Sequence, residues 1–266
     1  MISVLIPTYN RLNKLAELME SLHRQTYQNF EILIVNDCGI SVKKVVDLYS
    51  HLQISVRNLA ENSKQVHARN VGLAQAKGDY ILLCDDDDLL LPDHLERSLT
   101  ALDGYDLVYS DVEIVGFSVV KGTRMPMNRL LFAYEHDLEA MKKFSTFVSS
   151  GCLYRKSIHD TIGDFDVNVH NYWDWDFFLR VSIQFRVKRL PRASVLYEFS
   201  ALETNESKHL DGKRNAYLSR FCEKHGLGEL PQENFFTLLE RPEMVKRKAS
   251  SEVLWDGQPF VSRLVM

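Results

Sequence analysis

The sequence predicts an α/β protein with a mostly parallel central sheet, helices on both faces and a C-terminal helical extension. Two observations carry this expectation. Apolar runs rich in Val, Ile and Leu alternate with helix-periodic segments from Ile2 to Tyr109. In addition, Tyr80-Ile81-Leu82-Leu83-Cys84 reads as a strand buried on both faces and runs straight into four carboxylates, Asp85 to Asp88. The 266 residues, 45% of them apolar, suffice for one large α/β domain with an added C-terminal part.

Ile2–Ile6 is expected as the first strand, ended by Pro7. This start has no basic region and only a short apolar run, so it reads as a strand and not a signal peptide. Leu12, Leu15, Leu18, Met19 and Leu22 recur at helical spacing and predict an amphipathic helix as far as Arg24. Phe30–Val35 is a second strand, ending in Asn36-Asp37. Val42, Val45, Val46 and Tyr49 mark a second helix, and Ile54–Leu59 a third strand. Ser63–Lys77 reads as a helix closed by Gly78 at C′. After the acidic run, Pro92–Leu102 is helical, with Asp88 or Asp93 available as its cap. Tyr105–Tyr109 is the next strand, ending in Ser110-Asp111.

Beyond Asp111 the alternation loosens. Val112–Phe117 is strand-like, Lys121–Arg129 a basic loop and Asp137–Lys143 a helix. Gly151–Tyr154 is a short strand, Asp174–Gln184 a helix, and Val187–Leu190 and Ser194–Phe199 two late strands. Residues 205–225 are expected to be helical, and periodicity is weak after Pro231.

Strands of a parallel sheet present their carboxyl ends along one edge, where open α/β sheets bind ligands. Pro7-Thr8-Tyr9-Asn10, Asn36-Asp37, Asp85–Asp88 and Ser110-Asp111 are therefore expected to share a rim. Four adjacent carboxylates repel one another and cannot be buried unpaired. A hard divalent cation, Mg²⁺ or Mn²⁺, would draw them together. A solvated acidic turn ahead of the next helix would also accommodate them.

Composition narrows the function. The formal net charge of −4 argues against a nucleic-acid partner. Cys38, Cys84, Cys152 and Cys222 are far apart, as expected of reduced cysteines in the cytoplasm rather than a disulfide frame or zinc site. No apolar run approaches the ~20 residues that span a bilayer. GxGxxG, GxxxxGK[ST], HExxH and GxSxG are all absent, which argues against a Rossmann dehydrogenase, a P-loop NTPase, a zincin and an α/β-hydrolase.

Eight segments remain. They are Val4–Arg11, Glu31–Asp37, Ala68–Ala74, Gly78–Ile81, the Asp run followed by Leu91-Pro92, Gly151–Lys156, Ile162–Asp166 and Trp173–Arg180. In that order they resemble the inverting, nucleotide-sugar-dependent glycosyltransferases of the GT-A fold, in particular the bacterial family-two group, over roughly residues 1–200.

The resemblance implies a nucleotide-sugar-binding α/β half (1–111), an acceptor and catalytic-base half of the same domain (112–200) and an extension (201–266). It implies a nucleotide site of Pro7, Thr8, Tyr9, Arg11, Asp37, Arg69, Asp85 and Asp86. In that site Tyr9 would stack on a pyrimidine and Asp37 would accept its imide N–H. The family's DxD falls at Asp85-x-Asp87, so Asp87 would hold the metal, Mn²⁺ or Mg²⁺, and Asp85 or Asp86 would meet the ribose. Asp174 matches the general base, although the family's preceding Glu is Trp173 here. The helix dipole favours an ionised Asp174, and the flanking Trp173 and Trp175 oppose it by limiting solvation. Those two Trp rings read equally as a sugar wall or as core. Asn70 is expected to tie loops together, and Asp176 with Arg180 to form an i,i+4 pair.

The implied reaction is transfer from a UDP- or dTDP-sugar to a hydroxyl of a carbohydrate or glycolipid acceptor, in cell-surface polysaccharide or glycoconjugate synthesis. The implied place is the cytoplasm, with any peripheral membrane contact at the membrane's inner face. Acceptor binding, dimer contact and membrane docking through Lys246-Arg247-Lys248 are all open to the extension. A non-catalytic nucleotide-sugar-binding module is the alternative. A metal-dependent phosphohydrolase fits less well, because its DxD normally follows the first strand.

Overall fold

Strands β1 (Ile2–Thr8), β2 (Phe30–Asn36), β3 (Ile54–Asn58) and β4 (Tyr80–Leu83) form one parallel run of the sheet. They are connected by α1 (Leu12–His23), α2 (Lys43–Leu48) and α3 (Lys64–Gln75). The computed structural model describes residues 1–199, 212–231 and 235–265. After β4 come β5 (Leu89–Leu90), α4 (His94–Ala101), β6 (Leu107–Val120), β7 (Thr123–Phe132), α5 (Leu138–Met141) and β8 (Leu153–Arg155). Next are α6 (Ile158–Ile162), a 3-10 segment (Val167–Tyr172), α7 (Trp173–Gln184) and β9 (Val187–Glu198). Helices α8 (Gly212–His225), α9 (Phe235–Leu239) and α10 (Pro242–Arg247) and strand β10 (Glu252–Val253) complete the described chain. The sheet order is β10-β9-β6-β8-β4-β1-β2-β3, with β7 on β6 and β5 on β9.

The alternation of side chains along the strands builds two cores. Val4, Ile6, Ile32 and Ile34 meet Leu15, Leu18 and Met19 of α1 and Leu95 of α4 on one face. Leu5, Leu33, Ile81 and Leu83 meet Val66 of α3 and Phe177 and Phe178 of α7 on the other. Both faces are covered, so β2 is buried at every residue.

Several elements differ from expectation for identifiable reasons. Pro7 does not end β1, which continues to Thr8. The Leu5 carbonyl accepts from Cys84 N (3.2 Å), so Pro7, two residues on, faces the same neighbour. Pairing with β4 has already stopped at Leu5, and the missing N–H interrupts no ladder. Gly78 is not a helix C′ residue, because α3 stops at Gln75. A Cβ at Gly78 would lie 2.6 Å from Met1 O and 2.8 Å from Ser3 N, so the residue is small to let the chain pass β1.

The strands expected at Tyr105–Tyr109 and Val112–Phe117 are one continuous strand, and the boundary expected at 111/112 falls inside β6. The basic segment Lys121–Arg129 is not a loop. Lys121 (φ +49°) and Gly122 (φ +82°) form a hairpin turn into β7. The two late strands are a single β9, and a register shift opposite Ser110 and Asp111 absorbs Pro191 and Arg192. The expected helix over 205–225 is α8, and residues 205–211 lie outside the described residues.

The extension is helical only as far as Arg247. The chain then returns to the sheet, where β10 pairs parallel to β9. Trp255 and Phe260 bury against Leu89, Leu91, Val115 and Leu196. Among the described residues no helix is long and apolar enough to cross a membrane.

Candidate active site

The carboxyl ends of β1, β2 and β4 open into a cavity of about 410 Å³. Pro7, Thr8, Tyr9 and Arg11 line it from the end of β1, and Asp37 from the end of β2. Arg69 reaches it from α3, Asp85, Asp86 and Asp87 from the turn after β4, and Asp174 from the first turn of α7. All ten residues singled out from the sequence therefore meet at one place. Asp111 does not: it is buried, pairs with Arg189 (2.9 and 2.6 Å), and lies on a strand that runs on past it. The expected rim is thus three strand ends and not four.

The acidic turn is held from several sides. Thr8 Oγ1 donates to Asp86 Oδ2 (2.6 Å), while Arg11 Nη1 donates to Asp86 Oδ1 (3.2 Å) and Asp87 Oδ2 (2.6 Å). Both Asp86 oxygens are thereby engaged by protein donors, and its side chain is 5% exposed against 29% for Asp85. Burial and then the charge of Asp87 push the Asp86 carboxyl up to about 7, against the pull of Arg11. Asp85 is paired with Arg69, and its backbone N–H donates to Ser150 Oγ (3.0 Å). Asp88 is fully buried: Oδ1 accepts from Glu198 N (2.8 Å), and Oδ2 has no partner. Burial, with Asp87 and Asp85 beside it, holds the Asp88 carboxyl well above the usual range.

Arg69 connects this turn to α7. It is fully buried, donates to Gln65 Oε1 (2.8 Å) and Asp85, and lies 4.1 Å from the centre of the Trp173 ring. Trp173 lines this cavity, whereas Trp175, a buried ring whose Nε1 donates to Met141 O (2.6 Å), lines an adjoining one. Asp174 lies between them. Burial, followed by the charge of Asp85, outweighs the Trp175 N–H (2.8 Å) and Arg69, and the Asp174 carboxyl rises to about 6. Of the two effects opposed in the sequence, desolvation wins. Asn70 ties loops as expected, exchanging hydrogen bonds with Phe165 (2.8 and 3.1 Å). Asp176 pairs with Arg180 (2.9 Å) and also with Lys224 (2.7 Å).

At the ends of β1 and β2, Tyr9 is 48% exposed at the rim. Asp37 is buried to 5%, and one of its oxygens accepts from Ser63 N (2.7 Å). Asn10 (φ +59°) and Cys38 (φ +62°) flank them in left-handed backbone, which turns both loops back at the strand ends.

The sequence reading missed Ser149, Asn171, Tyr197 and Glu198, which also line the cavity. Glu198 is buried and pairs with Lys14 (2.8 Å) and Arg124 (2.7 Å). Its signal was a lone charge in the apolar run Val195–Phe199. Arg124, from β7, also donates to Asp87 O (2.7 Å) and pairs with Glu17 of α1.

The turn has the chemistry of a hard-cation site. Asp85, Asp87 and Asp88 each offer a carboxylate oxygen, and the three atoms lie within 4.8 Å of one another. The unpartnered Asp88 oxygen is the kind of buried acceptor a bound cation satisfies.

Known proteins share this architecture. The family described as Glycosyl transferase family 2 matches residues 3–163. An uncharacterized glycosyltransferase of Bacillus subtilis, YwdF, is 55% identical over 263 residues, covering 99% of this chain and 98% of that protein. The poly(ribitol-phosphate) beta-N-acetylglucosaminyltransferase TarS of Staphylococcus aureus is 32% identical over 131 residues, 47% of this chain and 22% of TarS. The structure of TarS 1–349 in complex with UDP-GlcNAc superposes with a TM-score of 0.67 at 22% identity, over 92% of this chain and 72% of that one. The mannosyltransferase PcManGT of Pyrobaculum calidifontis, in complex with GDP-Man and Mn²⁺, gives 0.56 at 13% identity, over 92% and 82%. With a match across more than half its length and a relative alike from end to end, this chain belongs to glycosyl transferase family 2 and is a glycosyltransferase of the GT-A fold.

Proposed function

We propose that this enzyme is a metal-dependent inverting glycosyltransferase that moves a sugar from a UDP- or dTDP-sugar to an acceptor hydroxyl. The observation that carries the reading is the convergence of Asp37, the Asp85–Asp87 turn and Asp174 on one cavity from three separate elements. Tyr9 offers a ring face to the base, and Asp37 an acceptor to the imide N–H of a pyrimidine. TarS, solved with UDP and with UDP-GlcNAc, supports a uridine donor. Asp85, the more exposed of the turn's first two carboxylates, is assigned the ribose. Asp87, with Asp85 and Asp88 beside it, would hold Mn²⁺ or Mg²⁺, which supplies positive charge for the departing diphosphate.

Asp174 accepts the proton of the acceptor hydroxyl. That oxygen attacks the anomeric carbon from the face opposite the diphosphate. The old C–O bond breaks as the new one forms, so configuration inverts and the nucleoside diphosphate leaves. Arg69, held between Asp85 and Trp173, keeps the acidic turn and the base in one geometry. The residues up to 111 thus serve the donor, and those from 112 to 200 the base and acceptor. We place the reaction in the cytoplasm, where the four free cysteines would stay reduced. Lys246-Arg247-Lys248, of which Lys246 and Lys248 are exposed, would make any peripheral membrane contact.

A thermal-shift screen tests this reading. UDP with Mn²⁺ at ~100 times its Kd should stabilise the protein by ~2.7 kcal/mol, with ADP far weaker. Asp87→Ala should abolish the Mn²⁺ dependence. Equal responses to UDP and ADP would remove the role given to Asp37, and UDP binding indifferent to EDTA would remove the metal.

A further inference from the structure

Tyr197 stands at a junction. It lines the active-site cavity and also an adjoining cavity of about 360 Å³, as do Ser149, Asn171 and Asp174. The sheet puts it there. Strand β9 pairs antiparallel with β5, Leu196 opposite Leu89 and Val195 opposite Leu90. Continued by one residue, that register sets Tyr197 level with Asp88. The next residue agrees with it, since Glu198 N donates to Asp88 Oδ1 (2.8 Å). The strand that carries the phenol is therefore the strand that grips the acidic turn.

The Tyr197 hydroxyl is unspent. A phenol can donate one hydrogen bond, and among the described residues this one has no partner. The other groups around the turn are committed. Asp86 and Asp87 hold Arg11, and Asp85 holds Arg69. Thr8 gives its hydroxyl to Asp86. Lys64 is exposed and follows Ser63, whose N–H is held by Asp37, so it belongs to the far end of the cavity beside β2. A diphosphate reaching the turn meets carboxylates and cations that are already paired. Its oxygens still call for hydrogen-bond donors, because bonds to charged oxygens are the strong ones. Ser149 and Asn171 line the same junction, but Tyr197 is the residue that β9 sets against the turn.

We infer that Tyr197 is a diphosphate-binding residue, its hydroxyl donating to a terminal oxygen of the β-phosphate. This rests on the reading of the Asp85–Asp88 turn as the place of the metal and the diphosphate. No proton is transferred. As the bond between the anomeric carbon and the phosphate oxygen breaks, its electron pair goes to the β-phosphate. The phenol, still protonated, faces the oxygens on which that charge gathers. Being neutral, it adds no charge to compete with the cation for the carboxylates.

Nucleoside diphosphates set against their monophosphates test this, by calorimetry at saturating Mn²⁺: UDP with UMP, ADP with AMP and GDP with GMP. Tyr197→Phe should weaken UDP by about tenfold or more, the worth of a hydrogen bond to a charged group, and leave UMP within twofold of wild type. The unliganded variant should keep the wild-type urea midpoint, since the hydroxyl gives up no protein partner. The inference is overturned by UDP affinity within twofold of wild type, or by UMP weakened as much as UDP. A lowered midpoint would also overturn it, because the hydroxyl would then be spent inside the fold. A wild type that prefers ADP or GDP to UDP would remove the uridine reading, and Tyr197 is then judged by the same variant on that diphosphate. If no diphosphate binds the wild type, the reading of the turn fails and this inference with it.

Discussion

Asp174, the proposed base, answers to two opposed demands. A base works best with a pKa near the operating pH, and burial brings this carboxyl up to about 6. It is then mostly ionised at pH 7 to 8 and can take a proton, so kcat/KM should fall about tenfold per unit below pH 6. Asp174→Asn should lower turnover by ~10²–10⁴ with UDP affinity almost unchanged. The same shift has a cost in stability. The unfolded value is near 3.8, below the folded one. Ionisation therefore opposes folding, not at all below pH 4, increasingly up to about 6, and fully above. Asp174→Asn should match the wild type at pH 4 and exceed it at pH 8 by roughly 1–3 kcal/mol. Urea unfolding at the two pH values checks this, and a variant less stable at both would contradict it.

At the scale of elements, the acidic turn is fixed by a hairpin that no local signal announced. The turn residues Lys121 and Gly122 lack the Asn-Gly or Asp-Gly signature, and the strand after them carries a proline, Pro126. Yet β7 places Arg124, 4% exposed, between Glu17 of α1 and Glu198 of β9 and against the Asp87 carbonyl. Removing one partner of a buried ionic cluster strands the others, at about 3–5 kcal/mol. Arg124→Met should destabilise by about that much, and Arg124→Met with Glu17→Met by distinctly less, because one stranded carboxylate is gone. Denaturant midpoints of the two variants decide between this coupling and simple loss of packing, which would make the double variant the worse one.

Across the whole molecule, the first 105 residues were legible because each βα unit writes its own period into consecutive residues. Val4, Leu5 and Ile6 or Ile32, Leu33 and Ile34 need no distant partner to be read. The site was legible for the same reason, since its donors sit where those strands stop. What stayed hidden depends on remote pairing: β8 inserted antiparallel between β4 and β6, β6 shared by three neighbours, and the chain end folded back on the sheet. Glu198 and Tyr197 reach the cavity only through that remote register. The returning segment is structural, with Trp255 buried under Arg129 and against Leu89 and Leu91, which follow directly on the acidic turn. Trp255→Ala should cost ~3–5 kcal/mol, and its loss of stability should be recovered in part by UDP and Mn²⁺. A change under 1 kcal/mol would make the segment an ornament of the fold.

Cys38 turns the backbone beside Asp37, and of the chain's four cysteines it alone is exposed. A maleimide dye therefore has one address on the native protein, one residue from the proposed base contact. Attached there, it converts the arrival and departure of a nucleotide into a change in emission. Stopped-flow mixing could then time the donor step before any donor sugar or acceptor has been identified.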